Sequence, residues 1–190
     1  MDQQAMFGLT CEATLKRMTG SELVLRPPRF GFQIECYDKH DQFKWFASAH
    51  NLVTDEGITD LLNKYFMGAT YTAAWYLGLV TGPAPVFATA DKAASHAGWT
   101  EFTNYGEAAR PTLIPPPATT TSVNNSASKA NYTCDNVTSK TVSGLFVTTA
   151  SGKGAVTGIL YSEAVFTQGD KLVTQGDVLA VTATLSGVTQ

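Results

Sequence analysis

The chain has 190 residues, of which 44% are hydrophobic and 15% charged, with a formal net charge of −3. That length supports one domain with a sizeable core rather than two domains and a linker. A charge content well below the typical value of about 25%, with many Ser, Thr and Gly, favours β-structure over a helical bundle. No basic block offers a docking face for a phosphate backbone, and no apolar run approaches the roughly 18 residues of a membrane span, so neither nucleic acid nor a membrane is expected as a partner.

Residues 1–28 show no sustained period and end in Arg26-Pro27-Pro28, where two prolines impose an extended backbone. The start of the chain lacks the basic-then-apolar layout of a signal peptide, so synthesis in a cytoplasm is the expectation. This segment reads as an N-terminal arm or an edge strand, with the β-rich domain occupying residues 29–190. Leu23, Val24, Leu25, Pro27 and Pro28 are its expected interface residues. An extended apolar stretch gains burial by lying on a neighbouring subunit or by adding a strand to its sheet.

From Phe30 the chain alternates Phe30, Phe32, Ile34, Cys36 against Gly31, Gln33, Glu35, Tyr37, which is the period of a strand with one buried face. Asp38-Lys39-His40-Asp41 turns it, and Gln42 to Ala49 returns, so a β-hairpin is expected. His40 is read as part of a solvated turn. Asn51 is expected to fix the start of the following helix through an Asx-type hydrogen bond.

Thr54 is a candidate N-cap, Asp55 and Glu56 suit the positive end of a helix, and Ile58, Leu61, Leu62, Tyr65 and Phe66 fall on one helical face. Gly68 is placed to stop this helix. Tyr71 to Val80 reads as a buried strand, broken by Gly82-Pro83-Ala84-Pro85. Residues 91–110 have no clear period. Residues 111–128, with three consecutive prolines and three consecutive threonines, read as a long exposed loop.

Four strand-like runs follow, at residues 131–137, 141–149, 156–166 and 178–185. About eight strands with one embedded helix predict a mainly β domain, a β-sandwich or jelly roll.

Cys11, Cys36 and Cys134 are widely separated, without a CxxC pair, and are expected to be free structural thiols. No local ligand spacing suggests a metal, and no cofactor is expected. Asp91 to Glu101 brings two carboxylates and His96 into eleven residues, the most enzyme-like segment of the chain. Ser95 and His96 are adjacent, however, and neighbouring side chains in an extended segment point apart. His96 is therefore read as bonding within a turn beside Trp99, and no catalytic residue is assigned.

Several strings together carry a resemblance: Asn51-Leu-Val-Thr-Asp-Glu-Gly57, Tyr71-Thr-Ala-Ala-Trp75-Tyr-Leu-Gly-Leu79, Ala94-Ser-His-Ala-Gly-Trp-Thr-Glu101, Gly158-Ile-Leu-Tyr161-Ser and Gly176-Asp-Val-Leu179. They resemble small virion structural proteins of tailed bacteriophages, over about residues 51 to 187. The resemblance implies a non-enzymatic virion protein, with a capsid decoration or cement protein as the leading reading. Its partners would be the major capsid protein or other virion proteins, and it would form a homo-oligomer. A trimer suits three-fold positions on symmetry grounds alone. A tail, fibre or head–tail joining protein is the alternative. A glycan hydrolase, resting on Asp91, Glu101 and Glu107 as paired carboxylates, is the hypothesis from another class.

Overall fold

The computed structural model describes residues 29–71 and 74–187, so residues 1–28, including the interface residues expected at Leu23, Val24, Leu25, Pro27 and Pro28, lie outside it. Among the described residues the chain forms two antiparallel sheets and one α-helix, the architecture of a β-sandwich. The first sheet runs β2 (Phe43–His50), β1 (Arg29–Tyr37), β11 (Val178–Ser186) and β6 (Ser122–Asn124), with β7 (Ala130–Thr133) also on β11. The second runs β3 (Leu52–Val53), β9 (Leu160–Val165), β8 (Lys140–Thr148), β4 (Tyr76–Thr81) and β5 (Glu101–Phe102), with β10 (Lys171–Val173) also on β8.

The period-two reading of β1 has its physical counterpart in the core. Phe32 and Ile34 point inward together with Leu179 and Val181 of β11, and meet Leu77, Leu79, Leu145 and Val147 of the second sheet; Cys36 is buried on the same face of β1. Tyr132 crosses this core and donates its hydroxyl to the Leu77 carbonyl at 2.8 Å. The hairpin turn is built by Asp38, whose Oδ1 accepts from the backbone N–H of His40 and Gln42 at 2.8 and 2.9 Å. Cys36 and Cys134 are free and buried, and burial pushes both thiols up to about 12, which leaves them without nucleophilic thiolate at neutral pH.

The second sheet departs from alternation: β8 is buried continuously from Val142 to Thr148, and β9 from Leu160 to Ala164. A strand reads this way when both faces are covered. The sandwich core covers one face. The segment between β4 and β5 covers the other, laying Phe87, Ala93 and Trp99 over Val80, Phe146 and Leu160.

The α-helix of the described residues, α1 (Asp55–Tyr65), begins where the sequence places it, with Thr54 Oγ1 accepting from Gly57 N at 3.0 Å. Asn51 does something else: its Oδ1 accepts from Phe30 N at 3.1 Å, tying the end of β2 to β1 rather than capping the helix. The expected strand at residues 71–80 begins only at Tyr76, and the expected loop at 111–128 ends as strand β6 on the first sheet. Leu113 within that loop is buried, its N–H donating to the Trp75 carbonyl at 2.8 Å.

The helix docks on β9 through Gly57. A Cβ there would stand 2.8 Å from Tyr161 Cα and closer still to its carbonyl oxygen, both rigid backbone atoms. Alanine is the better helix former by about 1 kcal/mol, yet Gly57→Ala is expected to lower stability by roughly 1–3 kcal/mol because the helix must lift off the strand. A urea midpoint that stays level or rises would mean that the contact has slack.

Candidate functional site

The carboxylates singled out in the sequence are each held by a separate partner. Glu101 on β5 makes a two-pronged ion pair with Arg110, both bonds 2.8 Å, and is nearly buried with it. Arg110 also donates to the carbonyls of Ala150 and Ala155, so it clamps the β8–β9 loop. Glu107 accepts from Thr133 N through both oxygens, at 3.0 and 3.1 Å. Asp91 Oδ2 accepts from Trp99 Nε1 at 3.1 Å and from Ala88 N at 3.3 Å. His96 shares a hydrogen bond with the Trp99 carbonyl at 3.2 Å and stacks its ring 3.8 Å from the indole.

Beneath that segment lies a group the sequence reading passed over. Glu163, in the middle of β9, is fully buried and neither of its carboxylate oxygens has a hydrogen-bond partner. Its nearest candidate donors, Trp99 Nε1 and Ala88 N, are already bonded to Asp91. Burial, and then the Asp91 carboxylate, push the Glu163 carboxyl up to about 8. A buried acid in this setting is neutral at pH 7. The available signal was a lone charged residue inside an otherwise uncharged strand.

A different arrangement occupies the end of the sandwich where β1 begins and β11 ends. The sequence predicts one apolar helical stripe of Ile58, Leu61, Leu62, Tyr65 and Phe66, which ordinarily faces a core. Here the stripe is only half used. Ile58 and Leu61 are partly buried, whereas Leu62, Tyr65 and Phe66 are exposed, along with Met67 and Tyr71 beyond the helix. Tyr65 and Met67 are 78% and 77% exposed, and the Tyr65 and Phe66 rings sit edge to face at 4.9 Å.

Beside this patch a groove of about 550 Å³ opens between the helix and the two sheets. Phe30, Leu61, Trp75, Tyr161 and Leu185 form its walls, with Trp75 edge-on to Tyr161 at 5.4 Å. On its rim Asp60 and Lys64 pair at 3.0 Å, one helical turn apart. The lining is apolar and aromatic, with polar groups confined to the edge, which is the composition of a surface that binds by burial. Contiguous exposed apolar side chains of this size on a folded domain mark an interaction site.

Among the described residues no group of three or more His, Cys, Asp or Glu side chains is placed to hold a metal ion, and no helix is long and apolar enough to cross a membrane. Compared with protein-family models and with curated proteins, the chain matches none.

Proposed function

We propose that this chain is a non-enzymatic structural protein of a tailed-phage virion, a capsid decoration or cement protein that binds and stabilises the head shell. The observation that carries the binding reading is the exposed apolar end of α1, Leu62, Phe66 and Met67. The resemblance of five strings to small virion proteins supplies the particle. A β-sandwich whose second sheet is covered on both faces by its own chain gives a rigid platform for such a patch, and a weak contact is enough on a symmetric shell because each further contact acts at high effective concentration.

Phe66→Asp combined with Met67→Asp is expected to reduce co-sedimentation with intact particles at least about tenfold, since two large side chains are worth more than the 1.4 kcal/mol that a decade requires. Both positions are exposed, so the thermal midpoint should not move. Attachment as tight as that of the parent chain would remove the patch from the contact. Localisation in intact particles by cryo-electron microscopy decides the component: density on the head supports decoration, and density at the tail or the head–tail joint supports the alternative.

A further inference from the structure

We propose that the groove at the end of the sandwich receives Leu23, Val24 and Leu25 of a second copy of this chain, so that copies are joined by exchanged N-terminal segments. The proposal rests on reading this end of the molecule as a binding surface and names what fills its deepest part.

Where the chain enters the fold is the first argument. Twenty-eight residues precede β1, and the second residue of β1, Phe30, is itself a wall of the groove. The segment therefore enters the domain at the groove, and every copy delivers one such segment for every groove it offers. Charge is the second argument. Glu22 and Arg26 flank the apolar triplet, and the Asp60–Lys64 pair on the rim presents both signs, so the incoming charges join it as a four-membered ion network. An apolar triplet with charged flanks matches an apolar floor with a charged edge.

The choice of a second copy over the chain's own groove follows from stiffness. Arg26-Pro27-Pro28 stands between the triplet and β1, and its two fixed φ angles disfavour a fold back onto the chain's own groove. The direction of β1 is also set on both sides, by β2 and by β11. A neighbour's groove asks for no reversal, and reciprocal exchange closes about a two-fold axis or runs round a ring.

The test uses purified full-length chain without particles. The parent should associate in sedimentation velocity. Val24→Asp with Leu25→Asp, and separately Tyr65→Asp with Tyr71→Asp on the exposed groove edge, should each weaken association at least about 30-fold, the effect of losing a buried hot-spot contact. A mixture of the two variants should form mixed pairs, because each pair joins one intact segment to one intact groove. The proposal is overturned if the parent is monomeric, if the segment variant associates as tightly as the parent, or if the mixture stays monomeric. Particle attachment is read separately with Phe66→Asp and Met67→Asp, neither of which lines the groove. That variant should keep association and lose attachment; a parent chain that attaches to particles but stays monomeric would sink the exchange alone, and one that associates but does not attach would sink the virion reading alone.

Discussion

Glu163→Gln is expected to make the protein more stable at pH 8 by roughly 3–5 kcal/mol and to leave it nearly unchanged at pH 4. The native carboxyl titrates at about 8, pushed up by burial and by Asp91, whereas an unfolded glutamate titrates near 4.5. Between those values the folded chain holds a proton that the unfolded chain releases. The stabilisation from a raised acid is fully present below the unfolded value and is lost as pH rises through the native one, so each unit upward in this window lowers stability by about 1.4 kcal/mol. Glutamine keeps the shape, carries no charge at any pH, and can donate toward Asp91. Urea midpoints at half-unit steps from pH 4 to 9 check this: the parent curve should fall across the window and the variant curve should be flatter. Equal slopes would show that Glu163 is already ionised in the native chain.

Arg110→Ala is expected to lower stability by about 3–5 kcal/mol, the range for breaking one side of a buried ion pair. The change leaves the Glu101 carboxylate without its cation and strips the Ala150 and Ala155 carbonyls of a donor. Gly154 N, 2.6 Å from Glu101, is the one donor that stays. Arg110→Met with Glu101→Leu removes both charges together and should recover much of the loss, since desolvation of the pair no longer opposes burial. A denaturation midpoint that falls further in the double variant than in the single one would refute that account and assign the clamp on the β8–β9 loop to the two backbone carbonyl bonds.

Local periodicity reached the elements whose residues report on their own neighbours. Phe30 to Cys36 alternates because β1 has one face in the core, and Leu179 to Leu185 alternates for the same reason. Thr54 caps α1 because its hydroxyl needs only the next turn of chain. What the sequence could not disclose depends on segments far apart. Short strands β3, β5, β6 and β10 exist because another strand pairs with them, not because two or three residues favour extension. Asp91 and Glu163 are 72 positions apart, and only the fold of the β4–β5 segment over β9 brings them together. Glu101 looked like a candidate acid until Arg110, nine residues on, proved to be its buried partner. The helix stripe was legible as apolar, but which of its members would meet the sheet was decided by Gly57 resting on Tyr161, which sets how the helix lies.

The central pair of the first sheet joins one of the earliest described strands to the last: β1 and β11 are in register along all nine residues, from Arg29 opposite Ser186 to Tyr37 opposite Val178. About 150 residues of chain therefore intervene between partners, and the entropy of closing so long a loop rises only logarithmically, by about 0.6 kcal/mol per doubling. The finished fold hardly notices. The folding rate does, because distant pairing must be found before it is rewarded. During synthesis the first sheet lacks its middle until residues 178–186 have left the ribosome, so Phe30, Phe32 and Ile34 wait beside β2 as an unpaired apolar edge. Yield of soluble protein should thus respond to growth temperature and chaperone supply more than to substitutions on the finished surface.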